Sequence, residues 1–337
     1  MFYIDPLEPE IVMARQEHLK NIKCFINKKI AGPVCAVPNC IICISQITSV
    51  PITPNLRTFL LNNNNLEVII SGNPQELLDV NKRFWNVLIP HFTMNNWDNY
   101  LNANTNDIVN IKKSIEKIFS YKDWFCNKES KYYSAYDLAK KLNRNSCTYC
   151  NRIYTSTIIN RRGKKIIRTT LDHWFPKTDF PLLSLSFFNL IPSCSNCNSS
   201  VKGSTNFNLN DHIHPYVDVN QNEEFCFNYK YNSSLTNYRI YLQDINSLNS
   251  KARNTLTGMF IDEMYNSHQS ELIDLIKIKT NYSKSYIESI EKLFGNKLAK
   301  EEVYRILFGV EFASKDFQKL PLSKFKNDIL KKLNIIK

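Results

Sequence analysis

The sequence predicts an α+β fold: a mostly helical chain with a small β-rich unit at its centre. Three observations predict it. Apolar residues recur at helical spacing on both sides of the centre. Between residues 153 and 192 the chain shifts to short β-branched runs. Two CxxC pairs, Cys147/Cys150 and Cys194/Cys197, bracket those runs.

A length of 337 residues is enough for two or three domains. We divide the chain into a mainly helical region over 1–125, the cysteine-bracketed unit over 126–215, and a second mainly helical region over 216–337. Mean hydropathy is −0.34. There is no long apolar run of the kind a membrane span needs. The first residues, MFYIDPLEPE, carry acids early and have no apolar signal segment, so the expected compartment is the cytoplasm.

In the first region, NPQELLDVNKRFWNVL opens on an N-cap and a proline. It then repeats Leu77, Leu78, Val80, Phe84, Val87 and Leu88 at helical spacing. NDIVNIKKSIEKIFSYKDWF and SAYDLAKKL predict two more helices. PVCAVPNCIICISQ predicts a cysteine-rich turn and a short strand. In the centre, RIYTSTIIN and KKIIRTTL, joined by RRG, predict a β-hairpin whose second arm runs on to Asp172 and His173. LSFFNLIPS predicts a further strand, and CSNCNSSVKG a knuckle that leads into a helix. Residues 208–224 are polar and turn-rich, as in a linker. FCFNYKY and NYRIYL predict two strands, and beyond 248 the pattern is helical. There Ser283 reads as an N-cap and Gly295 as a stop.

The formal net charge is +12. Between Arg144 and Gly203 lie nine bases (Arg144, Arg152, Arg161, Arg162, Lys164, Lys165, Arg168, Lys177 and Lys202) against two acids, Asp172 and Asp179. So concentrated a charge predicts a polyanionic partner, above all nucleic acid.

Ten cysteines in a chain read as cytoplasmic point to metal rather than to disulfides. Two sulfurs three positions apart grip one Zn²⁺ from a tight knuckle, and two knuckles complete a tetrahedral site. Cys147, Cys150, Cys194 and Cys197 are therefore the predicted ligands of a structural zinc. Cys40 and Cys43 form a third CxxC with Cys35 nearby. Their neighbours are apolar and no second pair lies close in sequence, so they read as core cysteines. His212 and His214 read as part of a linker turn, His268 as structural, and Trp85, Trp97 and Trp124 as core.

The stretches CTYCNR (147–152), LDHWFPK (171–177), FFNLIPSC (187–194) and CSNCNSSVKG (194–203) together resemble the HNH endonucleases, built on a ββα-metal unit. SAYDLAKKL, YNSHQSELIDL and PLSKFKNDIL are similar to flanking regions of HNH proteins of bacterial anti-phage defence, of the Septu and retron-associated types. The resemblance implies roles. His173 is the general base. Asp172 and Asn198 hold a catalytic Mg²⁺ or Mn²⁺. Asn189 braces the loop that orients His173. Arg152, Arg161, Arg162, Lys164, Lys165, Lys177 and Lys202 hold the phosphate backbone. Many family members carry His where this chain has Asn198, and an amide oxygen suits hard divalent ions.

The resemblance also implies DNA as substrate, with RNA the second candidate, and an ATPase or sensor partner. One such site cuts one strand, so double-strand cutting calls for two copies, as in a homo-oligomer, or for two successive events. The alternative is a zinc-containing subunit that binds nucleic acid or acts as a scaffold without catalysis. Successive strand residues face opposite ways, so Asp172 and His173 serve one site only if the strand ends there.

Overall fold

The structure, a computed structural model, describes residues 2–89, 106–219, 225–233, 237–281, 289, 292–293 and 298–336. Trp97, Ser283, Ile290 and Gly295 lie outside the described residues. Helices dominate, and each sheet has two antiparallel strands, which makes the fold α+β.

Local signals start the first helices. Helix α1 (Pro9–Lys29) begins on a proline, which has no N–H to leave unpaired there. A short α2 (Ile41–Ile44) follows, where the sequence suggested a strand. Thr53 caps α3 (Pro54–Leu61), and Asn62 caps α4 (Asn63–Ser71). Helix α5 (Pro74–Leu88) opens on a full capping box between Asn73 and Glu76. Helix α6 (Asn106–Phe119) runs into a wide turn, Tyr121–Phe125. Helix α7 (Ala135–Leu142) starts where Ser134 meets the Asp137 carboxylate.

The centre differs from the single long hairpin expected. Strand β1 (Ile158–Ile159) pairs with β2 (Lys165–Ile167), and the ladder stops at Arg168 and Thr169. The chain then forms a separate strand β3 (Thr170–His173), paired with β4 (Leu190–Ser193). The Thr169 and Thr170 hydroxyls both donate to the Ser193 carbonyl, which holds the chain at the new ladder. Helix α8 (Asn196–Lys202) follows β4 and packs on β3. Strands β5 (Cys226–Asn232) and β6 (Asn237–Gln243) pair as expected. Helices α9 (Ser250–Gly258), α10 (Ile261–Tyr265), α11 (Gln269–Asn281), α12 (Lys300–Phe308) and α13 (Ser323–Lys332) complete the described part.

One contiguous buried cluster runs from Ile4 to Ile336. Both flanks grip the centre through backbone. Phe2 N–H donates to Thr148 O at 2.9 Å and Ile4 N–H to Pro215 O at 2.8 Å. Asn151, in the left-handed region at φ 53°, donates from its amide to Phe317 O and Leu320 O. Tyr265 Oη donates to Cys150 O at 2.7 Å. Residues 208–219 are not a free linker. The Trp174 indole N–H donates to Ile213 O, and His214 and Tyr216 are buried against the aromatic core.

Two buried histidines make the fold acid-sensitive. His18 on α1 is fully buried. Its Nε2–H donates to Leu185 O, so Nδ1 accepts from Tyr133 Oη. Burial holds its pKa down to about 4, and that of His214 to about 3. Above the unfolded value of about 6.5 neither form of the chain binds these protons, and stability is unaffected. Below it the unfolded chain takes them up and the folded one does not. Stability therefore falls between pH 6.5 and 4, by about 1.4 kcal/mol per pH unit for each histidine. Urea midpoints measured from pH 7.5 to 4.5 should drop, and His18→Gln should reduce the slope. An unchanged slope in the variant contradicts a neutral buried His18.

Candidate functional site

The site is built on the two cysteine knuckles. Cys147, Cys150, Cys194 and Cys197 are all buried, and their four Sγ atoms lie within 4.8 Å of one another. Cys150 Sγ and Cys194 Sγ are 4.0 Å apart. A tetrahedral zinc with bonds of about 2.3 Å sets sulfurs about 3.8 Å apart, so the donor set and spacing fit this ion. Backbone N–H groups point at the sulfurs, Cys194 N–H at Cys147 Sγ and Cys197 N–H at Cys194 Sγ. Such bonds stabilise thiolates without occupying their metal-facing lone pairs. Four sulfur donors would leave a bound ion no open position, as a structural site requires.

The first knuckle also carries Tyr149. Its hydroxyl donates to Asp172 Oδ2 at 2.6 Å. The Lys202 ammonium meets the same oxygen at 3.2 Å and donates to His173 O at 2.8 Å. Burial raises the Asp172 carboxyl above its ordinary pKa, while the Lys202 charge and the Tyr149 hydrogen bond oppose that shift. Burial also lowers the Lys202 ammonium, against the pull of Asp172. Lys202 is 1% exposed, so it is not the surface phosphate contact that the sequence suggested. It is the internal counter-ion of Asp172.

Strand β3 ends at His173, and the chain then leaves the ladder. His173 Nε2 lies 2.9 Å from Ser184 O. A carbonyl only accepts, so Nε2 carries the proton and the neutral ring keeps its free lone pair on Nδ1. The ring packs edge-on to Tyr121, with centroids 4.5 Å apart. Burial lowers its pKa to about 3, and Lys177 and Lys202 add to that, so the imidazole is neutral throughout the cellular range.

Asn189 is fully buried and ties the ends of the loop after His173 together. Its Oδ1 accepts from Phe175 N–H at 2.6 Å. Its amide donates to Phe175 O at 3.1 Å and Leu183 O at 2.9 Å. Phe175 follows His173 by two residues, and Leu183 precedes the carbonyl that fixes its tautomer. Ser186 Oγ donates to Ile69 O, and His18 holds Leu185 O, so the N-terminal helices support the same loop.

Asn198 sits in α8, a turn before Lys202. This helix is widened: Gly203 N–H reaches Asn198 O, five residues back. Residues four apart lie on nearly one face of such a turn. Asn198 thus lies about one turn before the residue that meets Asp172. A carboxylate and an amide oxygen form a hard donor pair. Among the described residues, the Cys/His/Asp/Glu groups that close to within 4.8 Å are both made of cysteine, and Asp172 and His173 belong to neither.

The basic residues separate into two sets. Arg161, Arg162 and Lys164 are exposed at the tip of the β1–β2 hairpin. Lys177 lies over the Tyr121 ring at 5.3 Å, next to the ring that holds His173. Arg152 instead donates to His268 Nε2 at 2.8 Å and Ser267 Oγ at 2.9 Å. Lys165 donates to Ser130 O at 2.7 Å. Arg152 and Lys165, for which the sequence suggested a phosphate role, each commit some of their N–H groups to internal partners.

Sequence reasoning missed Tyr149, which donates to Asp172, and Tyr121, whose ring packs against His173. It also missed a second sulfur cluster. Cys24 on α1 joins Cys35, Cys40 and Cys43, all within 4.8 Å of one another, although the last three had read as core cysteines.

A stretch of 89 residues is 30% identical to the Septu protein PtuB of Bacillus thuringiensis. The match covers 26% of this chain and 31% of that protein, so the chain spans under a third of the curated relative's length. No family model and no solved structure matches the chain. No described helix is long and apolar enough to cross a membrane.

Proposed function

We propose that this chain is a divalent-metal-dependent endonuclease of the HNH type that hydrolyses phosphodiester bonds in DNA. One observation carries the reading. His173 is neutral, its Nε2–H is committed to Ser184 O, and Nδ1 is left to take a proton. A neutral ring with an uncommitted nitrogen is one requirement of a general base.

In this reading a water gives its proton to His173 Nδ1. The resulting hydroxide attacks phosphorus in line. The P–O3′ bond breaks, the 3′-oxygen takes a proton from solvent, and His173 returns its proton to solvent, leaving a 5′-phosphate and a 3′-hydroxyl. Asp172 and Asn198 would hold Mg²⁺ or Mn²⁺, which supplies charge relief at the phosphate and the leaving oxygen. Tyr149 and Lys202 keep Asp172 oriented and charge-balanced. Asn189 keeps the Ser184 carbonyl in place. Arg161, Arg162, Lys164 and Lys177 are the cations left to meet the phosphate backbone.

The likeness to a Septu protein supports a place in anti-phage defence; the ATPase or sensor partner rests on the sequence resemblance alone. The regions 1–125 and 216–337 then carry the partner contacts, around a nuclease unit over 126–215. Cutting both strands calls for two copies of the site or two successive events.

One observation favours the alternative of a non-catalytic zinc subunit: Asp172 is 2% exposed and already pairs with Lys202. The two readings separate on end-labelled single- and double-stranded oligonucleotides. The nuclease yields 5′-phosphate products with Mg²⁺ or Mn²⁺ and none with EDTA. The zinc subunit retains labelled DNA uncut under every condition, alone and with its partner.

A further inference from the structure

We infer that Cys24, Cys35, Cys40 and Cys43 form a second zinc site, separate from the central one. Cys24 lies near the end of α1, Cys35 in the loop after it, Cys40 at the cap of α2, and Cys43 within α2. Their sulfurs converge to within 4.8 Å. Cys40 Sγ lies 4.0 Å from Cys24 Sγ, and Cys43 Sγ lies 3.4 Å from Cys35 Sγ. These separations bracket the edge of about 3.8 Å that a tetrahedral zinc thiolate requires.

A second observation points the same way. The segment over 31–50 has little apolar anchoring, with Ile47 and Val50 only partly buried against the core. Val34, Val37, Ile41 and Ile44 are 67%, 42%, 64% and 70% exposed, and Ile42 is its one deeply buried apolar side chain. Its backbone leaves α1 through Ala31 at φ 50° and turns again through Asn39 at φ 54°. A left-handed alanine is costly in a segment that buries so little. What the segment turns inward is sulfur. A metal that binds only the folded loop supplies the missing free energy, as in small zinc modules. Arg57 then extends the anchor, donating to Ile30 O and Ala31 O at the exit from α1.

The two sites differ in access. All four central cysteines are buried, whereas Cys35, Cys40 and Cys43 are half-buried. The N-terminal zinc is therefore the first lost to a chelator.

Elemental analysis of the full chain, purified without chelators, tests this. The expected content is about two zinc ions per chain, falling to about one in Cys40→Ser/Cys43→Ser. A wild-type content of one, or two retained in the double variant, overturns the site. Alkylation of the intact wild type, read by mass spectrometry, does not depend on the variant folding. Cys24, Cys35, Cys40 and Cys43 should resist iodoacetamide until a chelator is added, and should then react before the central four. Equal reactivity with and without chelator overturns the site, and so does a disulfide among these four. Neither result bears on nuclease activity.

Discussion

His173→Ala is expected to reduce metal-dependent DNA cleavage by about 10²–10⁴-fold, the range of a lost general base. Each tenfold corresponds to about 1.4 kcal/mol of barrier, so the loss is about 3–5 kcal/mol. The fold should survive it. The imidazole makes one hydrogen bond, to Ser184 O, and one edge contact, to Tyr121. Losing that bond costs about 1–3 kcal/mol, against a total stability of about 5–15. Asp172 and Asn198 remain, so divalent-ion binding should persist in the inactive protein. A variant that cuts like wild type removes His173 from the chemistry. A variant that is inactive because it is unfolded shows itself by a lost thermal transition.

Cys197→Ser is expected to have the larger structural effect. Cys197 is fully buried, and its loss leaves three sulfurs that must be protonated in an apolar site or stranded as thiolates. Structural zinc contributes about 10–16 kcal/mol of apparent binding free energy in small zinc modules, as much as a whole domain's stability. The consequences spread because the knuckle carries other anchors. Tyr149 leaves Asp172, Asn151 leaves Phe317 and Leu320, and Tyr265 leaves Cys150 O. The variant should hold about one zinc fewer, lose its cooperative thermal transition, and be cut by protease within 144–203. Full zinc content with an unchanged transition contradicts a central zinc staple.

Local chemistry was legible in the sequence. The helix from Pro74 could be read because Asn73, Pro74 and Glu76 occupy capping positions within one turn. The central sulfurs could be read because a CxxC knuckle is itself a local geometry, and two of them bracket the β-branched runs. Asp172 and His173 had to lie at a strand end for one site to use both, and β3 ends at His173.

Long-range partnerships were not legible. Cys24 reads as one apolar residue of a helix until α1 is folded against α2. Lys202 reads as a surface base, because nothing nearby in sequence announces the carboxylate it neutralises on another strand. The expected long hairpin broke at Arg168 because the Thr169 and Thr170 hydroxyls favour Ser193, over twenty residues away. Residues 208–219 are polar enough to suggest a linker, yet Ile213, His214 and Tyr216 fill the core beside Trp174.

The central claim is that His173, with an ion held by Asp172 and Asn198, cuts DNA. The most direct measurement is plasmid cleavage by the purified chain and by the chain with its co-purified partner. It uses Mg²⁺, Mn²⁺ or EDTA, with His173→Ala beside the wild type. This account predicts nicked or linear plasmid that requires the divalent ion and disappears in the variant. Cleavage that continues in EDTA or in His173→Ala contradicts it, and so does an intact plasmid under every condition with the partner present.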